Sequence, residues 1–121
     1  METPQVLAAL AALAQSSRLA IFRLLVQHAP DGLSAGVIAE KLDLPPATLS
    51  FHLKELHRAG LLAQRQDGRF VWYSANVATM NDLIRYLTDN CCVLGSCGPA
   101  VCEPVSATVA VPSPRARGAR R

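Results

Sequence analysis

Cys91, Cys92, Cys97 and Cys102 are the four cysteines of the chain, all near one end of its 121 residues. His28, His52 and His57 are its three histidines, all well before them. A thiolate set without nitrogen or oxygen partners selects soft ions. Three thiolates suit a pyramidal trivalent centre such as As(III) or Sb(III), whereas Zn(II) takes four ligands as a tetrahedron. Cys91, Cys92 and Cys97 form the best trio, because the loop between the last two, residues 93–96, contains Gly95 and closes easily. Cys102 is the alternative third ligand, or the fourth in a site for Zn(II), Cd(II) or Pb(II). Engagement of only two thiols would suit a methylated trivalent arsenical.

Other uses of these thiols fit the surroundings less well. A redox-sensing cysteine needs a helix N-terminus or nearby cations to favour its thiolate. Cys91 and Cys92 instead follow the negative end of an expected helix and stand next to Asp89. Weakly nucleophilic thiols that deprotonate as metal binds are the expectation, with thiol oxidation as the rival and a Cys97–Cys102 disulfide left open. An enzyme would need a nucleophile beside a positioned base. No histidine stands near the cysteines in sequence and no phosphate-binding glycine loop occurs, so the chain reads as no enzyme and needs no constitutive cofactor. A metal-buffering thiol protein would leave the rest of the chain unexplained.

Met80, Leu83, Ile84 and Leu87 repeat at i, i+3, i+4 and i+7, and the same helical stripe would extend to Cys91. Upstream, residues 33–62 read as two short helices joined by a tight turn. Pro46 suits a first helical position, where its missing N–H costs nothing, and Gly60 ends the pattern, which predicts a helix over 46–58. At 100° per residue, Leu49, His52, Leu53 and Leu56 share one side. Ala47, Ser50, Phe51, Lys54 and Arg58 point the other way. With Thr48 near the helix start, such a face can enter a DNA major groove and reach base edges and phosphates. The bland alternative is a solvated polar face.

Residues 62–66 and 70–74 are β-prone runs on either side of Asp67-Gly68, a dipeptide that tolerates positive φ at both positions and so predicts a hairpin. Arg65 and Arg69 sit near its tip, where they could meet phosphates or a minor groove. Trp72 and Tyr73 fall on opposite faces of the second strand, so one of them should close the core.

Earlier in the chain, Val6, Leu7, Leu10 and Leu13 predict a first helix over 4–14. Ser16 or Ser17 should cap the second, whose apolar residues Leu19, Ile21, Phe22, Leu24, Leu25 and Val26 surround it and predict a central, buried helix. Pro30, Asp31 and Gly32 break the pattern, and Ser34 should cap a third helix ending near Leu42.

Length bounds the chain to one small domain helped by dimerisation. The formal charge of +3 misleads, because Arg115, Arg117, Arg120 and Arg121 all lie in the final stretch. With residues 103–121 set aside, eight basic side chains face eight acidic ones. Distribution is more telling. Lys41, Lys54, Arg58, Arg65 and Arg69 outnumber Asp43, Glu55 and Asp67 over residues 41–69. The expected organisation is a DNA-binding domain over 1–92, a cysteine-containing segment over 93–102, and a disordered Pro/Arg-containing tail over 103–121. Glu2 stands where a signal peptide would be basic, and no apolar run approaches the ~20 residues of a membrane helix, so a cytoplasmic protein without a membrane partner is expected.

The order of elements, with LSAGVIAEKL, ATLSFHLKELHRAGLL and GRFVWY, resembles the ArsR/SmtB family of metal-responsive repressors over about residues 6–92. The combination is specific: Ser50, His52 and Leu53 match S-x-H-L; Ala59, Gly60 and Leu61 match A-G-L; Gly68, Arg69 and Tyr73 match G-R-x-x-x-Y. The resemblance implies a mainly α winged helix-turn-helix with a small β-hairpin. It also implies a homodimer formed through the first and last helices, which binds a palindromic double-stranded operator and lets go when an inducer binds. Residues 46–58 would be the recognition helix, 67–69 the wing tip, and His52 a packing residue. A Cys-x-Cys pair on the preceding helix, known in some members, is not matched at residues 35–38, nor are the final-helix carboxylates and histidines of others. The Asn90-Cys91-Cys92 segment with a cysteine shortly downstream resembles the arsenite-responsive members, so As(III) or Sb(III) is the expected inducer. Any ligand that draws Cys97 back to Cys91 and Cys92 must reshape the end of the last helix.

Overall fold

Side chains at the helix starts set where the elements begin in the computed structural model, which describes residues 1–95. Cys97, Cys102 and the tail over 103–121 lie outside the described residues. Helix α1 (Thr3–Leu13) opens with a capping box in which the Glu2 N–H donates to Gln5 Oε1 at 2.6 Å. Helix α2 (Ser16–Gln27) is capped by Gln15, whose Oε1 accepts from the Arg18 N–H at 2.9 Å, and not by either expected serine. Gln15 is the residue with extended backbone there, so its carboxamide, not a serine hydroxyl, meets the free N–H groups. Ser34 does cap α3 (Ala35–Leu42), which ends on Asp43 in the left-handed region at φ 53°. Helix α4 (Pro46–Arg58) has the expected bounds. Strands β2 (Leu62–Asp67) and β3 (Phe70–Ala75) form the hairpin, and α5 (Val77–Thr88) starts where Asn76 Oδ1 accepts from the Thr79 N–H.

Strand β1 (Leu33–Ser34) has no signature in the sequence, since two residues carry no alternation. It pairs antiparallel with β3, Leu33 opposite Tyr73 and Ser34 opposite Trp72, which makes a three-stranded sheet of order β1-β3-β2. Gly32 is what lets the chain enter that pairing. Its φ is +84°, and a Cβ there would collide with the Tyr73 carbonyl oxygen.

Ile21, Phe22 and Leu25 of α2 meet Ile38 of α3, Leu49, Leu53 and Leu56 of α4, Leu61, Leu62 and Leu83 in one core, with Tyr73 packed against it. Tyr73 is therefore the strand aromatic that helps close the core. Helix α2 is not buried all round as its composition suggested. Leu19 and Val26, seven residues apart, share one flank of the buried face and are each 44% exposed. No single helix among the described residues is long and apolar enough to cross a membrane, and the adjacent pair α1 and α2 is bent by 101°.

Residues Met1–Asp89 form one compact unit, and a second begins at Asn90. The expected extension of the last helical stripe to Cys91 does not occur. Thr88 turns its hydroxyl back to the Ile84 carbonyl at 2.9 Å, Asp89 adopts ψ 135°, and Asn90 takes φ 62°, so the helical path is lost before the cysteines.

Candidate functional site

Helix α4 divides as its periodicity requires. Leu49, His52, Leu53 and Leu56 are buried, while Ala47, Thr48, Ser50, Phe51, Lys54 and Arg58 are all exposed along the other side. Three apolar anchors with a polar side chain among them hold the helix against the core by its inner face. The outer face carries hydroxyl, aromatic and cationic groups. Arg58 pairs with Glu55 at 3.2 Å, an exposed i,i+3 contact that contributes little and leaves the guanidinium available for a phosphate.

A residue that sequence reasoning missed holds the helix in place. Arg18 of α2 donates from Nε to the Ala12 carbonyl at the end of α1 at 2.7 Å, and its Nη1 lies 3.4 Å from His52 Nδ1. One guanidinium thus joins the end of α1 to the recognition-type helix. No local pattern marks it, since Arg18 follows Gln15, Ser16 and Ser17 at the start of the helix, ahead of the apolar run. Burial, and then the Arg18 charge, lower the His52 pKa from its ordinary value, so the imidazole is neutral and accepts the hydrogen bond. A depressed folded-state pKa means that the unfolded chain takes up the proton first as pH falls. Stability present above the unfolded value of about 6.5 is therefore lost as pH drops below it. Urea unfolding at pH 7.5 and at pH 5.5 tests this: the midpoint falls with pH, and His52→Gln removes most of the fall. An unchanged pH dependence in that variant would assign it to other groups.

The hairpin tip turns on Gly68 at φ 63°, and the Gln66 side chain donates to the Gly68 carbonyl at 3.0 Å. Arg65 stands directly across from Trp72, and its guanidinium carbon lies 5.0 Å from the ring centroid. That cation–π contact pre-orients a long side chain that would otherwise be solvated. Arg69 is exposed beside the tip.

Past α5, Cys91 is a free, exposed thiol and Cys92 is disulfide-bonded. Their sulfurs lie 3.3 Å apart. Asn90 and Cys92 both have positive φ, at 62° and 65°, which folds this short segment into turns. Two sulfurs at that spacing can bind one centre at a typical metal–thiolate length of about 2.3 Å only with an angle of about 90° between the bonds. That angle is narrower than the tetrahedral one, and the pair could share an ion only after Cys92 is reduced. Among the described residues no three histidine, cysteine or acidic side chains gather around a common point. The other expected ligands, Cys97 and Cys102, lie outside the described residues.

Residues 13–65, from the end of α1 into β2, match the model of a helix-turn-helix domain family. The chain is 43% identical over 63 residues to the HTH-type transcriptional regulator YceK of Bacillus subtilis strain 168, over 52% of its own length and 62% of YceK's. HlyU from Vibrio cholerae N16961 is 32% identical at a TM-score of 0.57, with 72% of this chain and 97% of HlyU covered. The homodimeric winged helix-turn-helix DNA-binding domain of Mb0332 from Mycobacterium bovis, a possible ArsR-family regulator, is 29% identical at a TM-score of 0.58, covering 72% and 81%. The chain belongs to the ArsR family of winged helix-turn-helix transcriptional regulators. It spans about three fifths of the length of the curated relatives it matches. Within the ArsR-family frame, α3 and α4 are the helix-turn-helix and the β2–β3 hairpin is the wing. The family is one of regulators rather than enzymes.

Proposed function

We propose that this chain is a cytoplasmic, homodimeric repressor that releases its operator when As(III) or Sb(III) is bound by the thiolates of Cys91, Cys92 and Cys97, with Cys102 as the alternative third ligand. The observation that carries the inducer reading is the 3.3 Å approach of the Cys91 and Cys92 sulfurs, in a segment whose soft donors are all cysteine sulfurs that become thiolate ligands once Cys92 is reduced. The DNA reading rests on the exposed α4 face and on Arg65 and Arg69 of the wing. Dimerisation is supported by apolar side chains left uncovered on α1 and α5. Leu7 is 60% exposed and Leu87 58%, and these two helices are tied together by the 2.6 Å hydrogen bond between the Thr3 and Tyr86 hydroxyls. Such residues are the ones a second subunit would cover.

Binding at the cysteines would exchange thiol protons for the ion. A dimer that presents two recognition helices about one DNA turn apart, roughly 34 to 36 Å, is sensitive to small changes in subunit orientation. A coupling of about 1 to 3 kcal/mol between the two sites would suffice for derepression.

The disulfide at Cys92 favours a second reading, a thiol–disulfide switch at the same residues. A gel shift on DNA from the chain's own upstream region separates the two. The expected result is that reduced protein is displaced by arsenite or antimonite at concentrations where Zn(II), Cd(II) and Pb(II) leave it bound. Displacement by the divalent ions alone would move the assignment to a four-thiolate site. Release by an oxidant, with arsenite inert, would favour the switch.

A further inference from the structure

We propose that Phe51 reads the 5-methyl group of a thymine in the major groove and makes each operator half-site depend on a thymine at the base step it faces. The proposal rests on the DNA-binding reading and names the base group that reading leaves unassigned. Phe51 lies on the outer face of α4 and is 56% exposed. Its companions on that face are Ala47, Ser50 and Lys54, and no second large apolar side chain stands among them. An isolated aromatic among small and polar groups is too little apolar surface to dock a protein partner. It does match the major-groove edge of DNA, where the thymine methyl is the one apolar group among hydrogen-bond donors and acceptors. Ser50 and Lys54 supply the polar half of the same reading, to base edges and phosphates.

The ring is also held in place. The Phe51 and His52 ring centroids are 5.6 Å apart with the planes tilted by 59°, and His52 is buried and joined to Arg18. A reader braced from behind by a fixed neighbour loses less side-chain freedom on contact than one free in solvent. Pro46 at the start of the helix places Phe51 in its second turn, within the N-terminal half that enters the groove in helix-turn-helix proteins.

The test uses the full reduced chain. A duplex is selected from a random library, and each thymine of the selected site is then replaced by deoxyuridine, which removes only the methyl group. Burial of one methyl predicts that a single thymine per half-site weakens binding by about fourfold when demethylated, and by about 16-fold when both half-sites are changed. Phe51→Ala binds the parent duplex less tightly and no longer responds to that substitution, while Phe51→Leu keeps part of the response. A wild-type protein indifferent to every demethylation overturns the proposal, as does Phe51→Ala responding as strongly as wild type. Failure of the library to enrich any duplex would instead remove the DNA-binding reading, and the proposal with it. Because Phe51 is exposed, its variants keep the fold, which a thermal melt checks.

Discussion

Serine at Cys91 or Cys92 leaves operator binding intact and abolishes release by arsenite. The expectation follows from where the two residues stand. Cys91 is exposed and Cys92 lies next to it in a turn after α5, and neither belongs to the core that holds α4. In the reduced protein their loss should therefore leave the DNA-facing surface and the melting temperature unchanged. The inducer response should disappear because a hydroxyl is a hard and poor substitute for a thiolate towards a soft ion. At a coupling of about 1 to 3 kcal/mol, wild-type affinity falls some 5- to 150-fold with arsenite, against no change in either variant. A gel shift or fluorescence anisotropy titration with reductant present measures this. Arsenite-driven dissociation of Cys91→Ser or Cys92→Ser would sink the site assignment. The same assay on Cys97→Ser and Cys102→Ser decides which of the two downstream cysteines completes the trio.

Alanine at both Ser50 and Lys54 weakens DNA binding on the order of 100-fold per half-site, without any metal. Each lost hydrogen bond to DNA costs about 1 to 2 kcal/mol, somewhat more where a charge is involved, and roughly 1.4 kcal/mol is a factor of ten. The salt dependence separates the two roles. Removing the Lys54 phosphate contact lowers the slope of log K against log salt by about one per half-site, whereas Ser50→Ala alone changes affinity with the slope kept. Both side chains are exposed and take no part in the core, so folding is unaffected. An affinity equal to wild type in the double variant would strike these residues from the DNA contacts.

Local signals were read correctly where one residue type decides the outcome. Pro46 and Gly60 bracket α4, the 100° periodicity divides its two faces, and a hairpin forms where Asp67-Gly68 marked one, although Asp67 ends the strand opposite Phe70 and Gly68 and Arg69 are the two loop residues. Reading failed where the deciding partner is far along the chain or where two local signals compete. Composition made α2 look buried all round, yet only other elements can cover a helix, and none among the described residues covers Leu19 and Val26 fully. A helical stripe pointed to Cys91, but Asp89 and Asn90 left the helical region before it could continue.

The sequence by itself determined the helix-turn-helix, the wing, the outward face of α4 and the clustering of thiols near one end, because caps, turns and periodicity act within a few residues. Tertiary structure alone decided three things. It paired β1 with β3 through the close approach at Gly32. It placed Tyr73 rather than Trp72 against the core and left Trp72 to carry Arg65. It brought Arg18 to His52 across 34 residues of chain, which ties the recognition helix to the end of α1. Each of these is a contact between residues distant in sequence, whose energy depends on a spatial approach that no local pattern encodes.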